Sequence, residues 1–222
     1  KGDHYSSSEK YASAAETFEK ITQQLESQQN REEFRLMATL SRAWQKTTQA
    51  EAETSPTFYI EASQLFEEAK DLSPGEREKT LALGHSRFCK ALEAGTKFID
   101  MRDAAQHDIA IQHLESAANY YVRAGCQSAS EYAKATELLL DAYMYIDDAK
   151  KEKDPEKKAK LYTMAEKILQ RSAASFIKAE QPEKREQALK LLEKVKEERE
   201  LAVSLSEVLH APSVVSTTTA FT

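Results

Sequence analysis

The chain has 222 residues, 41% hydrophobic and 31% charged, with five glycines and five prolines. That is enough for a sizeable core in one or two domains, and low Gly and Pro beside abundant Ala, Glu, Lys, Leu and Gln is a helical composition. A net charge of −6 argues against a general affinity for nucleic acid or anionic lipid, and no apolar run reaches the roughly 20 residues of a membrane span.

A first helix is predicted over Ser8–Ser27, with Tyr11, Ala14, Ala15, Phe18, Ile21 and Leu25 on its buried side. Gln28-Gln29-Asn30 interrupts the apolar rhythm. A second helix is expected over Arg31–Thr54, carrying Trp44, the only tryptophan. Its second half, KTTQAEAET, loses apolar content and is expected to face solvent. Ser55-Pro56 and Ser73-Pro74 read as start signals, a capping oxygen followed by proline at the first helical position. They open a third helix to Asp71 and a fourth to Arg102. Gly84 and Gly95 inside the fourth mark close helix contacts or, at Gly95, a kink.

The fifth helix, IAIQHLESAANYYVRAG, spans Ile109–Gly125 and ends at a glycine suited to left-handed backbone. The sixth, Ser128–Lys151, is apolar on more than one side, as expected of a helix between two neighbours. Asp154-Pro155 opens a seventh helix to Glu180, and Pro182 an eighth to His210. Residues 211–222, APSVVSTTTAFT, lose all charge and read as an extended tail or a linker to a further domain. Residues 1–210 are expected to form a single helical-repeat domain.

A pattern recurs through these helices. Ala110, Leu114, Ala117 and Tyr121 fall at i, i+4, i+7 and i+11, one stripe of a helix. The stripe reappears 48 residues earlier at Ala62, Phe66 and Ala69, and 48 before that at Ala14, Phe18, Ile21 and Leu25. It appears again 55 residues later at Ala165, Leu169, Ser172 and Phe176. A period of this size with two helices per unit points to a helical-hairpin array.

Eight helices in about four antiparallel hairpins, with small-x3-bulky spacing, resemble the tetratricopeptide-like (TPR-like) superfamily of α-solenoids over residues 8–210. Segments such as AANYYVRAG and AYMYIDDA look most like its soluble NSF attachment protein branch. The units are longer than the roughly 34 residues of the standard repeat, and its Trp–Leu-Gly–Tyr signature is absent. The resemblance implies an all-α, right-handed α-α superhelix. It also implies a protein-binding scaffold whose concave groove is lined mostly by the first helix of each hairpin.

Residues able to carry chemistry are sparse. Asp100, Asp103 and His107 lie near one another without a second cluster to complete a metal site. Glu207/His210 is a lone Glu-x-x-His pair. Cys126 has no partner base close in sequence. With Cys89 it is too little for a disulfide framework, and the two read as reduced thiols of an intracellular, cytoplasmic protein. The run KKEKDPEKKAK over 150–160 lacks arginine and aromatic residues and reads as a solvated linker. No phosphate-binding glycine loop or nucleophile elbow is present.

No catalytic, cofactor-binding or metal-binding residue is therefore expected. The function expected is a non-catalytic interaction scaffold for a peptide or partner domain. The alternative is a structural or regulatory helical domain of a larger protein, contacting only its own neighbours. Tyr59 and Tyr121 fit the buried stripes, whereas Tyr120 and Tyr145 sit off theirs and are the expected partner-binding anchors. Nucleic acid and membrane insertion are not expected.

Overall fold

The computed structural model describes residues 2–210, and these fold into eight helices with no strand among them. They are α1 (Gly2–Gln24), α2 (Gln28–Glu53), α3 (Pro56–Leu72), α4 (Glu76–Met101), α5 (Ala104–Arg123), α6 (Gln127–Lys151), α7 (Pro155–Lys178) and α8 (Pro182–His210). Each packs against the next along the chain, and α4 also touches α6. The expected tail at 211–222 lies outside the described residues.

Local chemistry sets the boundaries. Pro56, Pro155 and Pro182 each begin a helix, where the missing N–H costs nothing. Asp103 accepts a hydrogen bond from the Ala105 amide at 3.0 Å, and Asp154 one from Glu156 at 2.9 Å. α5 and α7 end alike. Ala124 and Ala179 share φ −80°, ψ −3°, and the next residues, Gly125 and Glu180, are left-handed at φ 74° and 56°. The amides of Cys126 and Gln181 then donate back to the carbonyls of Tyr121 (2.8 Å) and Phe176 (3.0 Å), closing two Schellman turns.

Several expectations are corrected. Ser73 does not open α4: it ends α3, its Oγ donating to the Ala69 carbonyl at 2.7 Å, and Gly75 precedes α4. Gln28-Gln29-Asn30 is not a break but the first turn of α2, with Ser27 as its cap. α5 begins at Ala104, before Ile109, because Asp103 caps it. The second half of α2 is not a solvated end, since Thr47, Ala50 and Ala52 are buried.

The stripes read from sequence carry the core. Ala110, Leu114, Ala117 and Tyr121 are buried, as are Ala62, Phe66 and Ala69, and Ala165, Leu169, Ser172 and Phe176. Ser172, the one polar member, donates its Oγ to the Ala135 carbonyl of α6 at 2.8 Å, which satisfies it inside the core. Ala14, Phe18, Ile21 and Leu25 are only half-buried, because among the described residues α1 packs chiefly on α2. α4 runs unbroken past Gly95, where the closest approach is Leu140 of α6: a Cβ there would sit 3.2 Å from its Cδ1.

Candidate functional site

The even-numbered helices turn one face inward, and that face lines a cleft. On α2 it is Trp44, Thr47, Thr48 and Glu51; on α4 it is His85, Phe88, Cys89 and Leu92. Both sets have the spacing i, i+3, i+4, i+7, one side of a helix. Tyr132, Thr136, Leu139 and Tyr143 continue the wall on α6, and Lys184 and Gln187 on α8. The cleft comprises a cavity of about 380 Å³ and a smaller one of about 150 Å³, which share Glu51, Leu92 and Tyr132. It therefore lies on the second helix of each predicted hairpin, not on the first as the family resemblance implied. The odd helices contribute Tyr11, Tyr59, Phe66, Tyr121 and Phe176.

Aromatic rings pave this wall. Trp44 meets Phe66 (5.2 Å between centroids) and His85 (4.9 Å), and His85 meets Tyr121 (5.2 Å). Further along, Tyr132 joins Phe88 (5.0 Å) to Phe176 (6.0 Å). Such edge and tilted contacts suit ring quadrupoles and hold the rings in fixed positions. The Tyr121 hydroxyl and Nδ1 of His85 share a hydrogen bond at 2.9 Å, and burial lowers the imidazole pKa to about 4, which keeps the ring neutral at pH 7. Gly84 makes room for that pair, because a Cβ there would lie 2.8 Å from Cε1 of Tyr121.

Glu51 is the acid of the cleft. Its Oε2 lies 3.2 Å from Nδ1 of His4 on α1, and its Oε1 lies 3.4 Å from Nζ of Lys184 on α8. One carboxylate thus ties the first helix and the last to α2. Burial, and then the negative charge of Glu51, raises the phenol pKa values of both Tyr59 and Tyr132, so both stay protonated donors. Burial also pushes the Cys89 thiol up to about 12, outweighing its contact with Thr47 at 3.8 Å, and makes it an inert packing group.

Neither Tyr120 nor Tyr145 lines the cleft. Tyr120 is half-buried beside Gly84 of α4, with the Arg123 guanidinium 5.6 Å from its ring centroid. Tyr145 packs onto the cluster that joins α6, α7 and α8. The tyrosines of the cleft are Tyr11, Tyr59, Tyr121, Tyr132 and Tyr143.

The other sequence candidates are dispersed. Asp103 is spent as a helix cap, and His107 pairs instead with Asp141 (3.1 Å) and Asp108 (3.3 Å) while packing on Phe98. His210 bonds to the Ser206 carbonyl, and Cys126 to that of Ala124. The lysine run straddles the α6–α7 turn, with Lys151 on Asp147 and Lys160 on Glu156. No group of three or more His, Cys, Asp or Glu side chains is arranged to hold a metal among the described residues. No described helix is long and apolar enough to cross a membrane.

The inner face of α2, with Glu51 and Thr47–Thr48, lies outside the site residues expected from the sequence. Its signal was the spacing of Trp44, Thr47, Thr48 and Glu51, which repeats on α4 but is polar on α2. Compared with known proteins, the chain matches no family model, no curated protein and no solved structure.

Proposed function

We propose that this protein is a non-catalytic interaction scaffold that receives a segment of a partner protein in its aromatic cleft. The array is read as a right-handed, TPR-like superhelix whose inner wall is built by α2, α4 and α6. The observation that supports this most is the cleft itself. Half-buried rings of Trp44 and Tyr132, fixed by neighbouring rings, stand beside polar groups that can accept or donate hydrogen bonds. Rigid aromatic side chains in a concave site lose little entropy on binding and are the usual anchors of interfaces. The partner is a protein or peptide; nucleic acid and lipid have no matching basic surface in the cleft. Cytoplasmic residence is part of the same reading.

The test is affinity capture from lysate of the source organism with three proteins. Thr48→Arg places a bulky side chain in the cleft at a half-buried site. It should lose a partner that wild type captures, while a Tyr120→Ala/Tyr145→Ala variant keeps it. Loss with the tyrosine pair alone moves the docking surface outside the cleft.

A second reading, a domain that contacts only neighbouring parts of a longer protein, draws support from α8. Leu201, Leu205, Val208 and Leu209 form an exposed apolar stripe there. Slower hydrogen exchange along α8 in a longer natural form of the protein would favour it.

A further inference from the structure

Glu51 and Lys184 are the only charged side chains among the described residues that line the two cavities of the cleft. They face each other from α2 and α8, 133 positions apart in the chain, and their 3.4 Å separation is longer than the 2.7–2.9 Å typical of a strong charge-assisted hydrogen bond. A carboxylate set among rings is a receptor for positive charge, since the ring faces attract cations and the acid completes the attraction. Trp44, Tyr11 and Tyr132, all half-buried, stand along the same wall. An anionic ligand would be repelled by Glu51, whose charge is offset only by Lys184 and by His4 when protonated, and it would gain nothing from His85 of the same cavity, which is neutral. Lys184 therefore shows what chemistry the site accepts: an ammonium on an apolar stem, from a residue that lines the same cavity as Tyr59, Tyr132 and Tyr143.

We propose that Glu51 seats the ammonium group of a basic side chain from the partner segment, and that Lys184 is a tethered occupant which this side chain displaces. This rests on the cleft being the docking surface. It predicts opposite effects at the two residues: removing Glu51's charge abolishes the seat, whereas removing Lys184's charge removes a competitor. A purely structural role for the pair would make the Lys184 change harmful as well, while Glu51→Gln would also strip His4 of its partner.

Trp44, the only tryptophan, is the reporter. The full chain is titrated with a capped peptide holding one lysine between leucines, with the same peptide acetylated on that lysine, and with butyltrimethylammonium as a free cation. The lysine peptide should change Trp44 emission saturably, and its acetylated form should bind roughly tenfold more weakly. Glu51→Gln should erase that preference, and Lys184→Met should strengthen lysine-peptide binding, with Lys184→Gln as a second neutral variant should the first fold poorly. Butyltrimethylammonium should compete with the lysine peptide.

Equal binding of the two peptides overturns the proposal, as does weaker binding by Lys184 variants of unchanged melting temperature. Binding of the free cation alone overturns the peptide source. If no probe binds while capture remains sensitive to Thr48→Arg, the ammonium seat fails and the scaffold reading stands. If both fail, the scaffold reading falls with it.

Discussion

Gly84 shows how one missing methyl group can set a site. In a helix interior, Gly→Ala ordinarily gains about 1 kcal/mol. Here the new Cβ would sit 2.8–2.9 Å from the Tyr121 ring, which is hydrogen-bonded to His85 and 2% exposed. Gly84→Ala is therefore expected to destabilise by about 1–2 kcal/mol net, read as a lower urea midpoint, and to shift Trp44 emission through His85. A stabilised variant would show that the ring moves freely.

His85 carries a second expectation at the same scale. Its pKa falls from an ordinary 6.5 to about 4 on folding because burial disfavours the charged ring. The unfolded chain then takes up the proton first. The His85 contribution is fully present above pH 6.5 and is lost as pH falls toward 4. Between pH 7.5 and 5.5 the wild type should lose about 1 kcal/mol that a His85→Phe variant keeps, measured by urea unfolding at both values.

At the scale of elements, all eight helices and the buried stripes of the odd ones were readable, whereas the polar inner face of α2 was not. Ala110, Leu114, Ala117 and Tyr121 declare α5 because a fully buried stripe must be apolar or small, and all four are buried. The inner face of α2 is built from Thr47, Thr48 and Glu51, residues that look solvent-facing one helix at a time. Their placement in the cleft comes from α4 and from Lys184 of α8, contacts too distant in sequence for any local period to show. Tyr120, which lies off the stripe, sits beside Gly84 of α4 and does not line the cleft.

The ends of α5 and α7 give a cleaner test. The same turn carries Gly125 in one and Glu180 in the other, both left-handed. A side chain there costs about 1 kcal/mol. Glu180→Gly should therefore stabilise the protein by up to about 1 kcal/mol, and Gly125→Ala should destabilise it by a similar amount. A melting curve of each variant decides. Equal and opposite shifts are expected, and a destabilising Glu180→Gly would mean its side chain does something the backbone account omits.

At the scale of the molecule, ties between successive helices accumulate into a wall. Nε of Arg77, at the start of α4, donates to the carbonyl of Ala124 that ends α5, at 2.9 Å. Ser128, at the start of α6, does the same to Ala179 at the end of α7, at 3.0 Å. Glu51 then links α1 and α8 to α2 across the cleft. The consequence is an aromatic surface lined by one acid, Glu51, and one base, Lys184, and it is this surface that we propose receives a segment of another protein.

The most direct measurement places a photo-crosslinking benzoylphenylalanine at position 48, in the cleft, and separately at positions 120 and 145, outside it, in the living source organism. One partner protein is expected to be joined through position 48 and none through the other two. The same partner joined at 120 or 145 and not at 48 would contradict that expectation, and would move the working surface away from the cleft.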